Sequence, residues 1–156
     1  MKINLPVSQR AVNVPANANI LSTTDLKGAV NYVNPDFIAI SGFDEAELLG
    51  RNHNIVRHPD MPPAAFADLW QNLKDGRPWM GLVKNRCKNG DHYWVSAYAT
   101  PVLRNGQVVE YQSVRTRAEP ALVARAEQLY AELLKGRTPR QLRPPRLGLA
   151  ARLSLL

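Results

Sequence analysis

Apolar positions recur along this chain with two different periods, and the switches between them mark its elements. Residues 1–18 follow neither period and are rich in Asn, Pro and Ala, so they read as an irregular arm. ILSTTD and AVNYVN then flank the turn Asp25-Leu26-Lys27-Gly28, which predicts a short antiparallel hairpin. Asn34 and Pro35 predict a helix start, because Asn caps free N–H groups and Pro is tolerated in the first helical turn; Phe37, Ile38 and Ile40 follow and Gly42 ends it. A second short helix runs from Asp44 through Leu48 and Leu49 to Gly50, with Glu47 completing a capping box. Phe66, Leu69, Trp70 and Leu73 fall at i, i+3, i+4 and i+7, the face of a longer helix stopped by Gly76 and Pro78; Phe66, Leu69 and Trp70 read as core. Three strand-like runs come next, WMGLVKNRC, HYWVSAYATPVL and VVEYQSVRTR. Pro120 opens a final amphipathic helix carrying Leu122, Ala126, Leu129, Tyr130 and Leu133 on one side.

Two strands, short helices, then three antiparallel strands amount to an α+β fold: a five-stranded antiparallel sheet with short helices on one face, an N-terminal arm and a C-terminal helix. The expected organisation is an arm over 1–18, a sensory domain over 19–118, a linker helix over 119–136 and a basic tail over 137–156. A three-residue loop Asn89-Gly90-Asp91 would pair Asn85 with Val95 and Val83 with Ala97 in the first long hairpin. Its inward face is then narrow in the middle, at Gly81, Ala97 and Ala99. Either a helix packs closely there or a flat ligand fills the space.

A length of 156 residues suits one domain with appendages, and 45% hydrophobic with 21% charged residues is the mixture of a globular protein. The single cysteine, Cys87, has no partner for an intramolecular disulfide, and the first residues lack the apolar stretch of a secretory signal, so a cytosolic setting is expected. The formal charge of +7 is uneven: from Gly136 onward there are five arginines and no acid. Such a tail attracts phosphates, and since no aromatic is interleaved, an anionic membrane surface is expected rather than nucleic acid. RLGLAARLSLL at the end is too short to cross a bilayer and reads as the approach to a longer protein.

Residues 52–66, NHNIVRHPDMPPAAF, concentrate the candidate chemistry. His53, His58 and Asp60 match no common zinc spacing, and no Ser or Cys nucleophile motif accompanies them, so neither a metal centre nor an enzyme is expected.

The order of elements, with Asn34 at the first helix, DEAELLG over 44–50 and a Lys-Asn-Gly turn in the hairpin, resembles a PAS domain. More narrowly, HNIVRHPDMP over 53–62 and GDHYWV over 90–95 resemble the flavin-binding PAS domains of bacterial aerotaxis receptors, over about residues 15 to 138. The resemblance implies non-covalent FAD and a role in sensing oxygen, redox or energy state. It also implies a following HAMP relay and methyl-accepting signalling region that acts on CheA and CheW, with a homodimer as one arrangement. The family's motif maps onto Arg57, His58 and Asp60: Arg57 as a forked donor to phosphate, His58 to stack or donate, Asp60 to accept from a hydroxyl or amine. Asp60 also stands where an N-cap for the next helix belongs, and Arg57 also reads as a surface charge. Asn34 is placed at the same site, and Trp79, Asn85, Ser113 and Arg115 at the ring end, with Trp79 equally readable as core. His53 is expected to be a turn residue behind the site. The light-sensing flavin-binding PAS class carries a reactive Cys after the second short helix; here His53 occupies that place, so adduct chemistry is not expected. A haem-binding PAS domain, or one with no ligand that serves protein contacts, is the alternative; the haem class draws its axial His from the long helix, and 64–75 contain none.

Overall fold

Asp25 folds the chain back on itself: its carboxylate accepts from the Lys27 and Ala29 N–H groups at 2.8 and 2.9 Å, an Asx turn between β1 (Ile20–Thr24) and β2 (Val30–Val33). The computed structural model describes residues 2–142. Asn34 then does three things at once. Its Oδ1 accepts from the Phe37 N–H (3.1 Å), capping α1 (Pro35–Ser41), and from the Leu21 N–H (3.0 Å), while its Nδ2 donates to the Asn19 carbonyl (2.6 Å). The first helix is thereby fastened to the first strand. α2 (Glu45–Leu48) begins with the Glu47 carboxylate accepting from the Asp44 N–H at 3.1 Å. A 3-10 turn (His53–Val56) and α3 (Pro63–Lys74) complete the layer, followed by β3 (Trp79–Arg86), β4 (His92–Arg104), β5 (Gln107–Arg117) and α4 (Pro120–Leu134).

The strands lie in the order β2-β1-β5-β4-β3, every neighbouring pair antiparallel. β2 and β3 are opposite edges, so the connection between them must cross the sheet, and it carries α1, α2 and α3 over one face. Ile20, Phe37, Leu48 and Val95 are buried in the layer so formed. α4 lies on the other face, where the Tyr130 hydroxyl donates to the Leu82 carbonyl at 2.6 Å and its ring stacks on Trp94.

The long hairpin corrects the expected register by two residues: Asn85 pairs with Tyr93 and Val83 with Val95. A three-residue loop is present, but it is Lys88-Asn89-Gly90, closed by the Cys87 N–H donating to Asp91 O at 2.7 Å and the Gly90 N–H to Cys87 O at 3.0 Å. Gly90 has φ +99°, a conformation that belongs at the last loop position, which places the turn one residue earlier than expected. A shift of two keeps every side chain on its face. Over Gly81 the expected gap is taken up by the Trp79 ring of the same strand, whose indole N–H donates to Asp68 of α3 at 2.8 Å. Asp60 does not cap α3: Pro62 is the capping residue, and no side chain bonds to the helix start.

The arm is docked rather than loose. Ser8 N–H donates to Gly90 O (2.8 Å), Val12 N–H to His92 O (2.7 Å), and Arg86 Nε–H to the Pro6 carbonyl (2.8 Å). No helix among the described residues is long and apolar enough to cross a membrane. The expected basic, membrane-facing tail lies, beyond residue 142, outside the described residues.

Gly90 joins turn and arm, since a Cβ there would also stand 2.8 Å from the Pro6 carbonyl oxygen. Gly90→Ala is expected to destabilise the domain by about 1–3 kcal/mol, combining left-handed strain with that contact. A lowered urea midpoint at unchanged slope is the expected result.

Candidate functional site

Residues 57–61 run beside the exposed edge of β3, where Arg57 and Asn85 form an antiparallel bridge. Asn4 of the arm holds this run from outside, its Nδ2 donating to the carbonyls of Asn54 and Arg57 at 2.9 Å each. Arg57 turns to the helix-covered face, its guanidinium carbon 3.8 Å from the centroid of Phe66. His58 turns the other way and packs edge-on against His92, ring centroids 5.9 Å apart. Its Nδ1 accepts from the Asp60 N–H at 3.0 Å, and Asp60 accepts from Lys84 Nζ at 2.7 Å.

Between α3 and the sheet lies a cavity enclosing about 100 Å³ and opening to solvent. Leu69 and Trp70 of α3 face Thr24, Asn85, Ala99 and Ser113 of the sheet, and the 3-10 turn closes one end with His53 and Val56. Phe66 and Leu69, expected as core, pack against the core and line the cavity as well, whereas Trp70, also expected as core, is cavity wall. Trp70 rests edge-on against Tyr111, with centroids 5.6 Å apart.

The wall is mostly apolar but holds hydrogen-bonding groups that are not satisfied. Thr24 Oγ1, Arg57 Nε and Asn85 Nδ2 are buried without a hydrogen-bond partner. Buried polar atoms are rarely left so, and three on one cavity point to a polar ligand edge. Just behind the wall stands Arg115, 2% exposed, bonded to Ser22 Oγ and to His53 Nε2 (3.1 Å), with Phe37 under its guanidinium. Among the described residues, no Asp or Glu lines the cavity. Burial brings Arg115 down to about 10, so it stays charged at neutral pH.

His53 is pushed down to about 3 by burial and by the Arg115 charge, hence neutral. Because Arg115 donates to Nε2, the ring proton resides on Nδ1. His58 is likewise lowered to about 4, by burial first and then by Lys84.

Sequence reasoning and structure meet at Arg57, Asn85 and Ser113, which line the cavity, and at Arg115, which backs it. Trp79 stands beside α3 through Asp68 and is not on the wall. Asn34 is consumed in capping α1 and anchoring it. His58 and Asp60 are across the edge from the cavity. His53 is in the wall rather than behind it, and Thr24 was missed; alternation along ILSTT, which sends Ile20, Ser22 and Thr24 to one face, carries the signal for Thr24. Cys87 is buried elsewhere, its thiol near the Ile40 carbonyl (3.3 Å) and raised to about 11 by burial. Among the described residues no cluster of three His, Cys, Asp or Glu is placed to hold a metal ion.

An antiparallel five-stranded sheet whose short crossover helices roof a small cavity is the architecture of PAS domains. The family model described as the PAS fold matches residues 30–115, and the chain belongs to that family. It is 48% identical over 136 residues to the aerotaxis receptor of Escherichia coli (strain K12), a match covering 87% of this chain and 27% of that protein. It is 30% identical over 96 residues to the nitrogen fixation regulatory protein of Klebsiella pneumoniae, covering 61% of this chain and 19% of that one. The chain thus spans about a quarter or less of these relatives. Among solved structures it superposes on the light state of the blue-light photoreceptor Aureochrome1 LOV with a TM-score of 0.62 at 18% identity, over 74% of this chain and 91% of that one. That likeness is one of fold.

Two histidines neutral in the fold and basic when unfolded make stability acid-sensitive. Between the unfolded value of 6.5 and the folded values of about 4 and 3, the unfolded chain binds the extra protons, so stability falls as pH falls. The loss is expected to approach about 1.4 kcal/mol per pH unit per histidine. Urea midpoints measured from pH 7 to pH 4.5 test this, with His53→Gln removing about one proton from the slope.

Proposed function

We propose that this PAS domain is a sensory module that binds FAD non-covalently in the inner cavity and reports oxygen, redox or energy state to a chemotaxis-type signalling region. The observation that carries the reading is a mostly apolar cavity lined by Arg57 and Asn85 and backed by Arg115, with no carboxylate among its described lining residues. Asn85 Nδ2 and Thr24 Oγ1, both without a partner, would hold a ring bearing carbonyl oxygens and ring nitrogens, and Arg57 would hold phosphate. The donor set fits the cofactor. The enclosed space of about 100 Å³ is smaller than the roughly 300–1,000 Å³ of ligand pockets, so seating the whole cofactor would require the wall to open.

When bound, the flavin supplies reversible electron uptake. The chain's own contribution is electrostatic: Arg115, held by Ser22 and His53 and unopposed by an acid on the wall, favours the more electron-rich form of whatever touches it. The name of the 48%-identical relative, an aerotaxis receptor, supports the sensory reading and the downstream partners it implies: a HAMP relay, a methyl-accepting region, CheA and CheW.

Freshly purified protein is expected to show flavin absorbance bands. Arg57→Ala and Asn85→Ala are expected to lose the flavin while keeping the far-UV circular dichroism of the parent. Absence of flavin bands, together with no retention of FAD after refolding with it, overturns the proposal; a Soret band instead indicates haem. Arg115→Leu is expected to lower the midpoint potential, each tenfold change in relative affinity for the two oxidation states being about 30 mV for two electrons.

A further inference from the structure

We propose that Lys84 and Asp60 are positioning residues for the cavity: an outer-face clamp that holds Arg57 and Asn85 in the cavity wall without touching the ligand. The inference rests on the inner cavity being the cofactor site.

Two backbone runs carry all four residues. Arg57 and Asn85 are bridged partners across the β3 edge and both face the cavity. One residue before Asn85, Lys84 faces the opposite side, and three residues after Arg57, Asp60 meets it there, Nζ to Oδ2 2.7 Å. The same runs are pinned once more by Lys84 N–H against Met61 Sδ at 3.3 Å, and Met61 is 1% exposed. Arg57 rests on the Phe66 ring and Asn85 lies beside Tyr93, but each still presents a buried nitrogen without a hydrogen-bond partner. Their aim depends on the backbone, and the backbone is tied by the ion pair on the far side.

The clamp is asymmetric in burial. The Lys84 side chain is 9% exposed and that of Asp60 62%. A nearly buried ammonium without its carboxylate is costly, so loss of Asp60 drives Lys84 to seek water and pulls on β3. His58 completes the cluster, its Nδ1 accepting from the Asp60 N–H and lying 3.7 Å from the Asp60 carboxylate. On the far side Lys84 lies 6.0 Å from the centroid of Trp94, which stacks on Tyr130 of α4, and Tyr130 bonds Leu82, two residues from Lys84. The clamp therefore joins the cavity wall to the helix that leaves the domain.

A double-mutant cycle separates clamping from contact. Lys84→Met and Asp60→Asn are each expected to weaken FAD binding about tenfold, and the double variant to be no weaker than either, because one interaction is lost once. Lys84→Arg, which keeps the charge, is expected to restore most of the affinity. If Asp60 instead touches the cofactor, Asp60→Asn weakens binding while Lys84→Met does not, or the two losses add; either result overturns the proposal. Amide hydrogen exchange of the apoprotein supplies a readout independent of any ligand. Exchange is expected to accelerate across 57–61 and at Asn85 in both single variants and not in α1. Unchanged exchange in Lys84→Met overturns the clamp whatever the cavity binds. Absence of FAD binding by the parent, with accelerated exchange intact, removes the cofactor reading alone.

Discussion

Side-chain alternation along β3 and β4 is the constraint from which the rest of the structure follows. Gly81, Val83 and Asn85 go inward while Leu82, Lys84 and Arg86 go outward, matched across the ladder by Ala97, Val95 and Tyr93 on one face and Ser96, Trp94 and His92 on the other. A slip of one residue would exchange the faces and turn Lys84 and Arg86, both already buried, away from Asp60 and the Pro6 carbonyl that satisfy them and toward the helical layer. A slip of two leaves the faces intact. For that reason the expected inner face survives even though the expected register does not. The same alternation places a cavity on one side of the strand and the seat of α4 on the other, so displacement of β3 is felt on both.

Behind the cavity wall the dominant fact is a buried cation, with no acid among the described residues that line the cavity. Arg115 is held by a hydroxyl, by the lone pair of a neutral imidazole and by the face of Phe37. Each is a weaker partner than a carboxylate, and each leaves the positive field unneutralised. The arrangement sacrifices stability, because desolvation of the guanidinium is opposed only by dipoles and one aromatic ring. His53 shares in that sacrifice, since burial first and then the neighbouring charge keep it neutral far below its ordinary range. Local rules broken together in one place are characteristic of a site shaped for a ligand rather than for folding.

Features that rest on short-range chemistry were legible in the chain. Asn34 before Pro35, Gly42 after Ser41, Glu47 three residues past Asp44 and the Asn105-Gly106 turn, whose two residues both have positive φ, each act within a few residues of themselves. What could not be read is anything that depends on what lies opposite. Phe66, Leu69 and Trp70 have the spacing of a buried face, and helical periodicity does not distinguish a filled core from the wall of a cavity. His53 falls in a 3-10 turn whose side chain meets Arg115 from a strand 62 residues later, a contact that no local pattern encodes. The arm has no periodicity because it docks piecemeal, through backbone groups, the side chains of Asn4, Ser8 and Arg10, and the apolar Val12, Val14 and Ala18 against the core, and not as a regular helix or strand.

The Arg57-His58-Pro59-Asp60 run shows the limit most clearly. Read as a string, its polar residues belong to one site, with helix capping as the plain alternative for Asp60. In a loop that reading holds, because neighbouring side chains converge. Along a sheet edge it fails for a geometric reason: an extended chain bridged to a strand sends successive side chains to opposite faces, so Arg57 goes to the cavity and His58 away from it. The turn closed by Met61 N–H to His58 O then carries Asp60 to Lys84 instead of to the start of α3. A motif that looks like a single ligand clamp is thus divided, one residue toward the cavity and two toward the outer face. Its physical unity lies in the backbone that carries them, since whatever moves Arg57 also moves Asp60.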